Sequence, residues 1–286
     1  MLFDCFTFFN ELDLLEFRLK LLSPHVDYFV IVESNLAHSG KPKPFYFKDH
    51  EERFKPWSDK IIYSALNQST NGLVFNQDER EYNKNNGSWK LENEQRNALH
   101  HVAEYMDEED IVIIGDLDEI PDPHVLNEIK GLVQPCSLSM IFNNYFMNCR
   151  NSKAEKLWNG SVLCNGKMFK ENLPQVFRDN RNHYPKIKNG GWHFSYLGGI
   201  EKIKHKIRSF AHTEYNKEEF LSDDHILNSL NNGEDIFKRK NVRHKLVPLD
   251  KYPLHVRGFM VQYPHFISHP KEMTSFQKVL SFFKWS

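Results

Sequence analysis

Apolar and polar positions in the first third of the chain follow the periods of strands and of an amphipathic helix. The segments "FDCFTFF" and "YFVIVES" are rich in aromatic and β-branched residues, which is typical of β-strands. Between them, Leu12, Leu15, Leu19 and Leu22 recur at the spacing of one helix face. The chain is therefore predicted to open with a β-α-β unit, whose two strands run parallel through a right-handed crossover.

The remaining pattern continues this alternation and then becomes less regular. "DKIIYSAL" predicts a third strand, "WKLENEQRNALHHVAEYM" a helix, and "DIVIIG", which is apolar on both faces, a central parallel strand. "DPHVLNEIKGLV" predicts a helix with Asp122 as its N-cap, and "SLSMIFNNYFMN" a strand. Past Asn151, "GSVLCNGKMF", "QVFRDN" and "GWHFSYL" predict short strands, and "GIEKIKHKIRSFAHTEY" and "EEFLSDDHILNSLNNG" predict helices. The expected fold class is α/β, with a mostly parallel central sheet flanked by helices.

Composition narrows the class of protein. The 286 residues suffice for one large domain, and the formal net charge of -1 gives no reason to expect a nucleic-acid partner. The four cysteines form no CxxC pair, which argues against a zinc ribbon and favours a reducing compartment. An N-terminus without a basic segment, and the lack of an apolar run of membrane length, predict a cytoplasmic location.

The last segment, residues 268–286, carries an apolar stripe. Phe276, Val279, Leu280 and Phe283 share one face of a predicted helix, beside two lysines and a tryptophan. Such a helix either docks on the protein and closes its core, or lies at a membrane surface. The stripe therefore leaves open a peripheral membrane contact through the C-terminal tail.

The stretch "DIVIIGDLDEIPDP" ends a predicted buried strand in three acids, Asp116, Asp118 and Glu119. Like charges this close resist joint ionisation, so a positive group must compensate them. In open α/β sheets ligands bind beyond the carboxyl ends of the strands, and carboxylates there suit Mg²⁺ or Mn²⁺ together with substrate phosphates. Gly115 is expected to let a ligand approach the backbone. The alternative is that the acids cap the next helix and form surface salt bridges.

The aspartate motif also has a wider context. The stretch resembles the metal-binding aspartate motif of glycosyltransferases with the type A fold. "FDCFTFFNELDLLEFRL", "VDYFVIVESNLAHSGKPKP", "QRNAL", "DLDEIP" and "GGWHFS" occur in this order, and together they resemble glycosyltransferase family seventeen, the family of the bisecting N-acetylglucosaminyltransferase of N-glycans. The resemblance implies one Rossmann-like type A domain over residues 1–267. Residues 1–150 would bind the nucleotide sugar and residues 151–267 the acceptor.

The resemblance also implies a metal site built on the aspartate motif. Asp118 would ligate Mn²⁺ or Mg²⁺ directly, and Asp116 would contact the ribose or belong to the metal site through a bound water. His193 in "GGWHFS" is the candidate that completes the metal shell, and the glycines before it are expected to permit a close approach. The alternative for His193 is a hydrogen-bonded core histidine.

The nucleotide sugar is expected near the ends of the first two strands. The predicted donor-binding residues belong to these strands, the loop after them, the helix before the acids and the acid motif: Phe8, Asn10, Glu11, Glu33, Ser34, Lys41, Arg96, Asp116 and Leu117. Glu33 would hold ribose hydroxyls, or else be a buried acid paired with Arg96 or Lys41. Arg96 would contact the diphosphate, or else pair with Glu92 or Glu94.

Transfer with inversion requires a base that deprotonates the acceptor hydroxyl. The candidates are Glu119 and the two acids in "FLSDDHILNSL", Asp223 and Asp224, for which the alternative is capping of the following helix. His212 and His225 are further site candidates. Three aromatic residues either stack on sugar faces or belong to the core, namely Trp158, Trp192 and Tyr196.

The function that the resemblance implies is a metal-dependent, inverting transfer of N-acetylglucosamine. The donor would be UDP-N-acetylglucosamine, and the acceptor a glycan that receives a β-linked sugar. The same acids would also serve a metal-dependent nucleotidyltransferase or phosphohydrolase, and the fold would also suit a catalytically silent glycan-binding module. The sequence leaves these alternatives open.

Overall fold

The structure is a computed structural model, and it describes residues 1–76, 83–152, 157–240 and 242–269. The strands are β1 (Leu2–Phe8), β2 (Tyr28–Ser34), β3 (Ile61–Leu66), β4 (Ile111–Asp116), β5 (Glu119–Pro121), β6 (Cys136–Asn144), β7 (Cys149–Asn151), β8 (Leu157–Asn165), β9 (Lys186–Ile187), β10 (Gly191–Ser195) and β11 (His244–Leu246). The α-helices are α1 (Leu12–Leu22), α2 (Tyr46–Asp49), α3 (Gly87–Asn97), α4 (Pro123–Glu128), α5 (Gly166–Glu171), α6 (Pro174–Asn180), α7 (Gly199–Ser209), α8 (Glu218–Leu221), α9 (Asp223–Asn232) and α10 (Leu254–Met260). Short 3-10 helices cover Glu51–Trp57, Ala98–Tyr105, Thr213–Tyr215, Leu249–Lys251 and Pro264–Phe266.

The strands of the described residues form one sheet, whose main path runs β11-β7-β6-β8-β4-β1-β2-β3. Strands β3, β2, β1 and β4 are parallel, so their carboxyl ends share one edge. Strand β8 is antiparallel to both β4 and β6, while β10 is parallel to β6 and antiparallel to β5. The α/β class is thus confirmed, but only the first half of the sheet is mostly parallel. The second half is mixed because the described residues between β6 and β8 contain no crossover helix, and β8 runs antiparallel to β6.

The local predictions hold for the first half of the chain and fail in parts of the second. The β-α-β opening is confirmed, and the helix before the acids continues beyond α3 as the 3-10 helix Ala98–Tyr105. The prediction of a strand at "QVFRDN" is wrong, because Pro174 begins helix α6 there. The segment around Asp223 forms two helices instead of one, since the Ser222 hydroxyl accepts a hydrogen bond from the His225 N–H and starts α9.

Both faces of the sheet are covered by apolar side chains. On one face, α1 and α10 pack with Phe6, Ile31 and Ile113 in a single buried cluster. On the opposite face, Val30, Val112 and Cys164 pack with the 3-10 helix Ala98–Tyr105 and with α5 and α6. A third cluster joins α7, α8 and α9 to the loop after β6. These layers leave the carboxyl edge of the parallel strands open to a ligand.

A buried arginine connects helix α1 to the end of β4. The Arg18 side chain is fully buried, and it donates to both carboxylate oxygens of Asp4, at 2.8 and 2.6 Å. Its remaining terminal nitrogen donates to the backbone carbonyls of Asp116, Leu117 and Glu119, at 3.1, 3.0 and 2.8 Å. Arg18 therefore shapes the turn that carries the acids, by holding its carbonyls towards the core.

The C-terminal tail helix predicted for residues 268–286 lies outside the described residues from residue 270 onwards. In the part of the chain that the structure describes, no helix has both the length and the apolar character needed to cross a membrane.

The Arg18 pair generates a stability prediction. Arg18→Met leaves the Asp4 carboxylate buried without a counter-ion, so we expect it to lower the free energy of unfolding by about 3–5 kcal/mol in urea denaturation. Arg53→Met, which removes a half-exposed guanidinium from Asp13 and Glu16, is the matched control, with an expected loss below about 1 kcal/mol.

The double variant Asp4→Leu/Arg18→Met tests the contribution of the ion pair separately from that of the hydrogen bonds between Arg18 and the turn. Because it removes both buried charges, it should recover much of the lost stability. Equal free energies of unfolding for Arg18→Met and Arg53→Met would show that the buried ion pair contributes no more to stability than the partly exposed one.

Candidate active site

A cavity of about 590 Å³ lies at the carboxyl ends of β1 and β4 and is closed by α3, α6, α7 and β10. Its wall includes many of the residues predicted from the sequence, namely Phe8, Glu11, Arg96, Asp116, Leu117, Asp118, Trp158, His193, Tyr196 and His212. The cavity is large enough for a nucleotide-sized ligand. Its position follows from the parallel strands, whose carboxyl ends share this edge of the sheet.

Asp116 is held by two arginines. One carboxylate oxygen accepts from Arg96 at 3.0 Å, and the other accepts from Arg178 at 2.6 Å. Burial by itself would raise the pKa of Asp116, but the charges of Arg178 and Arg96 outweigh it and hold the pKa well below its usual range. Arg96 also binds Glu92 at 2.8 Å, as one of the sequence-based alternatives expected.

Asp118 points to a different set of partners. Its Oδ2 accepts from Lys206 Nζ at 2.7 Å, and its Oδ1 lies 3.3 Å from His193 Nε2. Burial would raise the pKa of Asp118, but the charges of Lys206 and His193 keep it below its usual range. The structure thus brings Asp118 and His193 together and turns Asp116 to the arginines.

His193 is fixed by aromatic rings. Its imidazole stacks on Phe142, with ring centroids 5.1 Å apart, and lies 4.7 Å from the Trp158 ring. Its Nδ1 is buried and forms no hydrogen bond within the described residues. The only ring nitrogen that faces a carboxylate is therefore Nε2, which has the orientation that a metal ligand beside Asp118 requires.

Glu119 has a supporting position behind the cavity wall. It is fully buried, and its oxygens accept from Arg178 at 2.8 Å, from Trp158 Nε1 at 2.6 Å and from Ser161 Oγ at 3.2 Å. All of these donors belong to the protein, so the carboxylate has no open side for an acceptor hydroxyl. Glu119 therefore binds the side chains of Arg178 and Trp158, and the structure does not present its carboxylate to the cavity in the way that the prediction of a base expected.

Arg181 is the cation of the cavity wall that has no acidic partner in direct contact among the described residues. Its guanidinium lies 4.8 Å above the Trp158 ring, and it forms no hydrogen bond or ion pair with the residues that the structure describes. Burial, and next the charge of Arg178, lower the pKa of Arg181 to about 10. A bound anion would relieve both effects, so this part of the wall favours a negatively charged group.

Several predicted donor-binding residues lie away from the cavity. Glu33 is fully buried and accepts from Lys43 Nζ at 2.9 Å, from the Tyr46 N–H at 2.6 Å and from the Tyr63 hydroxyl at 3.0 Å. The counter-ion of Glu33 is therefore Lys43. The alternative given from the sequence was Arg96 or Lys41. Three more predicted residues do not line the cavity. Ser34 donates to Gln68 at 2.5 Å, Asn10 pairs with His205 at 3.1 Å, and Lys41 is exposed on its loop.

The two acids proposed as bases at the start of α9 also lie off the cavity wall. Asp223 is exposed and forms an ion pair with Lys204, and Asp224 is exposed in the first turn. His225 binds the Ile236 carbonyl at 2.7 Å, and Trp192 is buried in the core. The structure therefore does not bring these four residues to the site.

Sequence reasoning found Arg96 but missed the other basic residues that contact the acids or line the cavity beside them. Arg178, Arg181 and the acid Asp179 lie on or directly after α6, and Lys206 lies on α7. The spacing of Arg178 and Arg181, three residues apart, places both on one face once the segment is helical. The segment "PQVFRDNR" does contain a sign of a helix, because it begins with a proline. The prediction of a strand there left this sign unused.

Two glycines that were expected to admit a ligand or a metal instead allow close packing within the protein. A Cβ at Gly115 would lie 2.1 Å from Ser161 Oγ and 3.2 Å from Glu119 Oε2, so the glycine admits β8 and Glu119 instead of a ligand. Gly191 has φ +130°, and a Cβ there would lie 2.1 Å from the Ile120 carbonyl oxygen. It lets β10, which carries His193, pair closely with β5.

A family model for glycosyltransferase family 17 matches residues 1–245, a range that includes every residue of the cavity wall. The chain belongs to this family. Among solved structures, the crystal structure of an active-site mutant of LgtC is similar, with a TM-score of 0.34 and 13% identity over 63% of this chain and 63% of that chain. A search of curated proteins finds no match.

The close contact at Gly115 generates a prediction. Gly115→Ala forces Ser161 and Glu119 apart, so we expect it to cost about 1–3 kcal/mol of stability in urea denaturation. Gly258→Ala is the control, because a Cβ at this position in α10 meets nothing within 4 Å, and it should be neutral or slightly stabilising. Equal stabilities for the two variants would show that the packing around Gly115 is not tight.

Proposed function

We propose that this protein transfers a sugar from a nucleotide sugar to a glycan acceptor. The observation that carries the proposal is the cavity at the strand ends, where paired acids lie beside Arg181, a cation with no acidic partner in direct contact among the described residues. Such a wall suits a diphosphate that arrives with a divalent cation. Membership of glycosyltransferase family 17 supports sugar transfer over nucleotidyl transfer, phosphate hydrolysis or binding alone.

The residues that we propose for the metal are Asp118 and His193. A carboxylate oxygen and an imidazole nitrogen lie 3.3 Å apart on the cavity wall, which fits a divalent cation that completes its shell with the diphosphate. The carboxylate suits both Mg²⁺ and Mn²⁺, and the imidazole favours Mn²⁺ of the two. When bound, the cation neutralises charge on the leaving diphosphate. Asp116 remains with Arg96 and Arg178 and orients them.

The donor that we propose is UDP-N-acetylglucosamine, on the basis of the resemblance to the bisecting enzymes. We place its nucleoside beside Phe8 and Glu11 at the end of β1, and its diphosphate against Arg181 and Lys206. Lys206 would exchange its bond with Asp118 for a phosphate oxygen when the cation binds. Lys206 would then contact an anion both before and after the donor enters.

The base that we propose is Asp179. Of the acids on the wall, Asp116, Asp118 and Glu92 have cationic partners, and Glu11 lies on the side assigned to the nucleoside. Asp179 is exposed at the cavity and accepts a hydrogen bond from Gln175 at 2.7 Å. It is therefore available to a hydroxyl group of an incoming glycan.

The reaction that we propose is a direct displacement. The acceptor oxygen forms a bond to the anomeric carbon while the bond from that carbon to the diphosphate breaks, and the acceptor proton passes to Asp179. Attack from the side opposite the diphosphate inverts the anomeric centre and gives a β-linked product. The part of the protein is to orient the two substrates and to compensate the charge of the leaving group.

The metal assignment is tested by Asp118→Asn. We expect this isosteric change to lower transfer from UDP-N-acetylglucosamine by at least about a hundredfold, because an amide holds a divalent cation more weakly than a carboxylate and the leaving diphosphate then loses the positive charge of the cation. The assay measures released UDP, which also separates transfer from nucleotidyl chemistry, whose product is pyrophosphate. Asp223→Asn, at an exposed acid off the wall, is the control and should retain activity. Undiminished turnover by Asp118→Asn, or by the native chain in a chelator, would overturn the metal assignment.

The base assignment is tested by comparing Asp179→Asn with Glu11→Gln. We expect Asp179→Asn to lower kcat about 10²–10⁴-fold with little change in the KM for the donor. Glu11→Gln should act mainly on the KM for the donor. Donor hydrolysis without acceptor should survive in Asp179→Asn, because an intact donor site remains. A kcat that Asp179→Asn leaves unchanged would exclude it as the base.

A further inference from the structure

Three metal-ligating side chains meet outside the cavity. Asp122 follows β5, His124 lies two residues later in α4, and His255 lies in α10. The ligand atoms of these residues all lie within 4.8 Å of one another, and no other group of three or more such residues occurs among those that the structure describes. None of the three lines the cavity at the strand ends.

The three side chains already share short contacts. Asp122 Oδ1 accepts from the His124 N–H at 2.9 Å and lies 3.1 Å from His255 Nε2. The two imidazoles stack, with ring centroids 3.9 Å apart and an angle of 27° between the ring planes. The ring nitrogens of His124 have no hydrogen-bond partner among the described residues. Within the same residues, Asp122 forms no ion pair with a lysine or arginine.

We propose that Asp122, His124 and His255 form a binding site for a transition-metal ion, with Zn²⁺ as the ion that the ligand set suits best. Two imidazoles and one carboxylate are a common three-ligand set for zinc, and water fills the fourth position. His124 is exposed, and the torsion that turns its ring is soft, so the ring can turn its nitrogen towards the ion. The hydrogen bond from the His124 N–H already orients the carboxylate.

The position of the site gives the ion a structural role. Asp122 lies three residues after Glu119, which positions Arg178 and Trp158, and β5 pairs with β10 through His193 and Glu119. Helix α10 belongs to the buried cluster of α1. A bound ion would therefore link the segment that follows β5 to helix α10. Its effect would be on the stability of the protein and not on the chemistry of transfer.

The test is a Zn²⁺ titration of the full chain after treatment with a chelator. Cys136, the one partly exposed cysteine, is replaced by Cys136→Ser in every sample, because a thiol would bind zinc itself. We expect one equivalent of Zn²⁺ to bind and the melting temperature to rise. His124→Ala and His255→Ala should each weaken the affinity by at least about tenfold and reduce the rise in melting temperature at the same Zn²⁺ concentration.

Two controls make the result specific. His265→Ala removes a histidine that lies 3.0 Å from Asp13 with no second histidine beside it, so it should bind Zn²⁺ as the parent does. Asp118→Asn should also bind as the parent does, which separates this site from the metal proposed for sugar transfer. The proposal is overturned if the parent binds no zinc, or if neither His124→Ala nor His255→Ala weakens binding more than His265→Ala does.

Discussion

The buried ion pair between Arg18 and Asp4 is the constraint on which the site depends. Two fully buried charges are stable only if each finds a partner, and here one guanidinium satisfies Asp4 and three backbone carbonyls together. Because the carbonyls of the turn between β4 and β5 point to Arg18, the side chains of Asp116 and Asp118 point away from the core. A helix packed on the sheet thus determines how the acids are presented.

The acid cluster is compensated by the protein itself. Asp116 is neutralised by Arg96 and Arg178, and Asp118 by Lys206, so the chain does not depend on a bound cation to fold around these charges. Arg181 is then left with a lowered pKa and without an acid, which creates an attraction for an anion. A nucleotide sugar would satisfy this cation, and its arrival with a metal would release Lys206 from Asp118.

The sequence predicted the elements whose signals are local. The strand "DIVIIG", the β-α-β opening and the acids at a strand end follow from hydrophobic periods that neighbouring residues determine. His193 was placed beside Asp118 by resemblance, and the structure brings the two residues together. The pairing of β10 with β5 that makes this contact joins segments about 70 residues apart, which no local pattern encodes.

The sequence failed where partners come from distant segments. Arg178 lies 62 residues from Asp116, and Lys206 lies 88 residues from Asp118, so neither contact has a local signature. Arg178 was also hidden because its short helix was interpreted as a strand. Asp223 was predicted from its residue type at the start of a helix, and the structure places it in an ion pair with Lys204, off the cavity wall.

The proposed function requires that Asp118 and His193 hold a divalent cation, and that this cation binds the diphosphate of the nucleotide sugar. The most direct measurement is a crystal structure of the chain with UDP and Mn²⁺, with anomalous diffraction used to locate the manganese. The account predicts a manganese peak bonded to Asp118 and His193, with the diphosphate against Arg181. Manganese bound elsewhere, or UDP in the cavity with Lys206 still on Asp118 and no manganese peak, would contradict it.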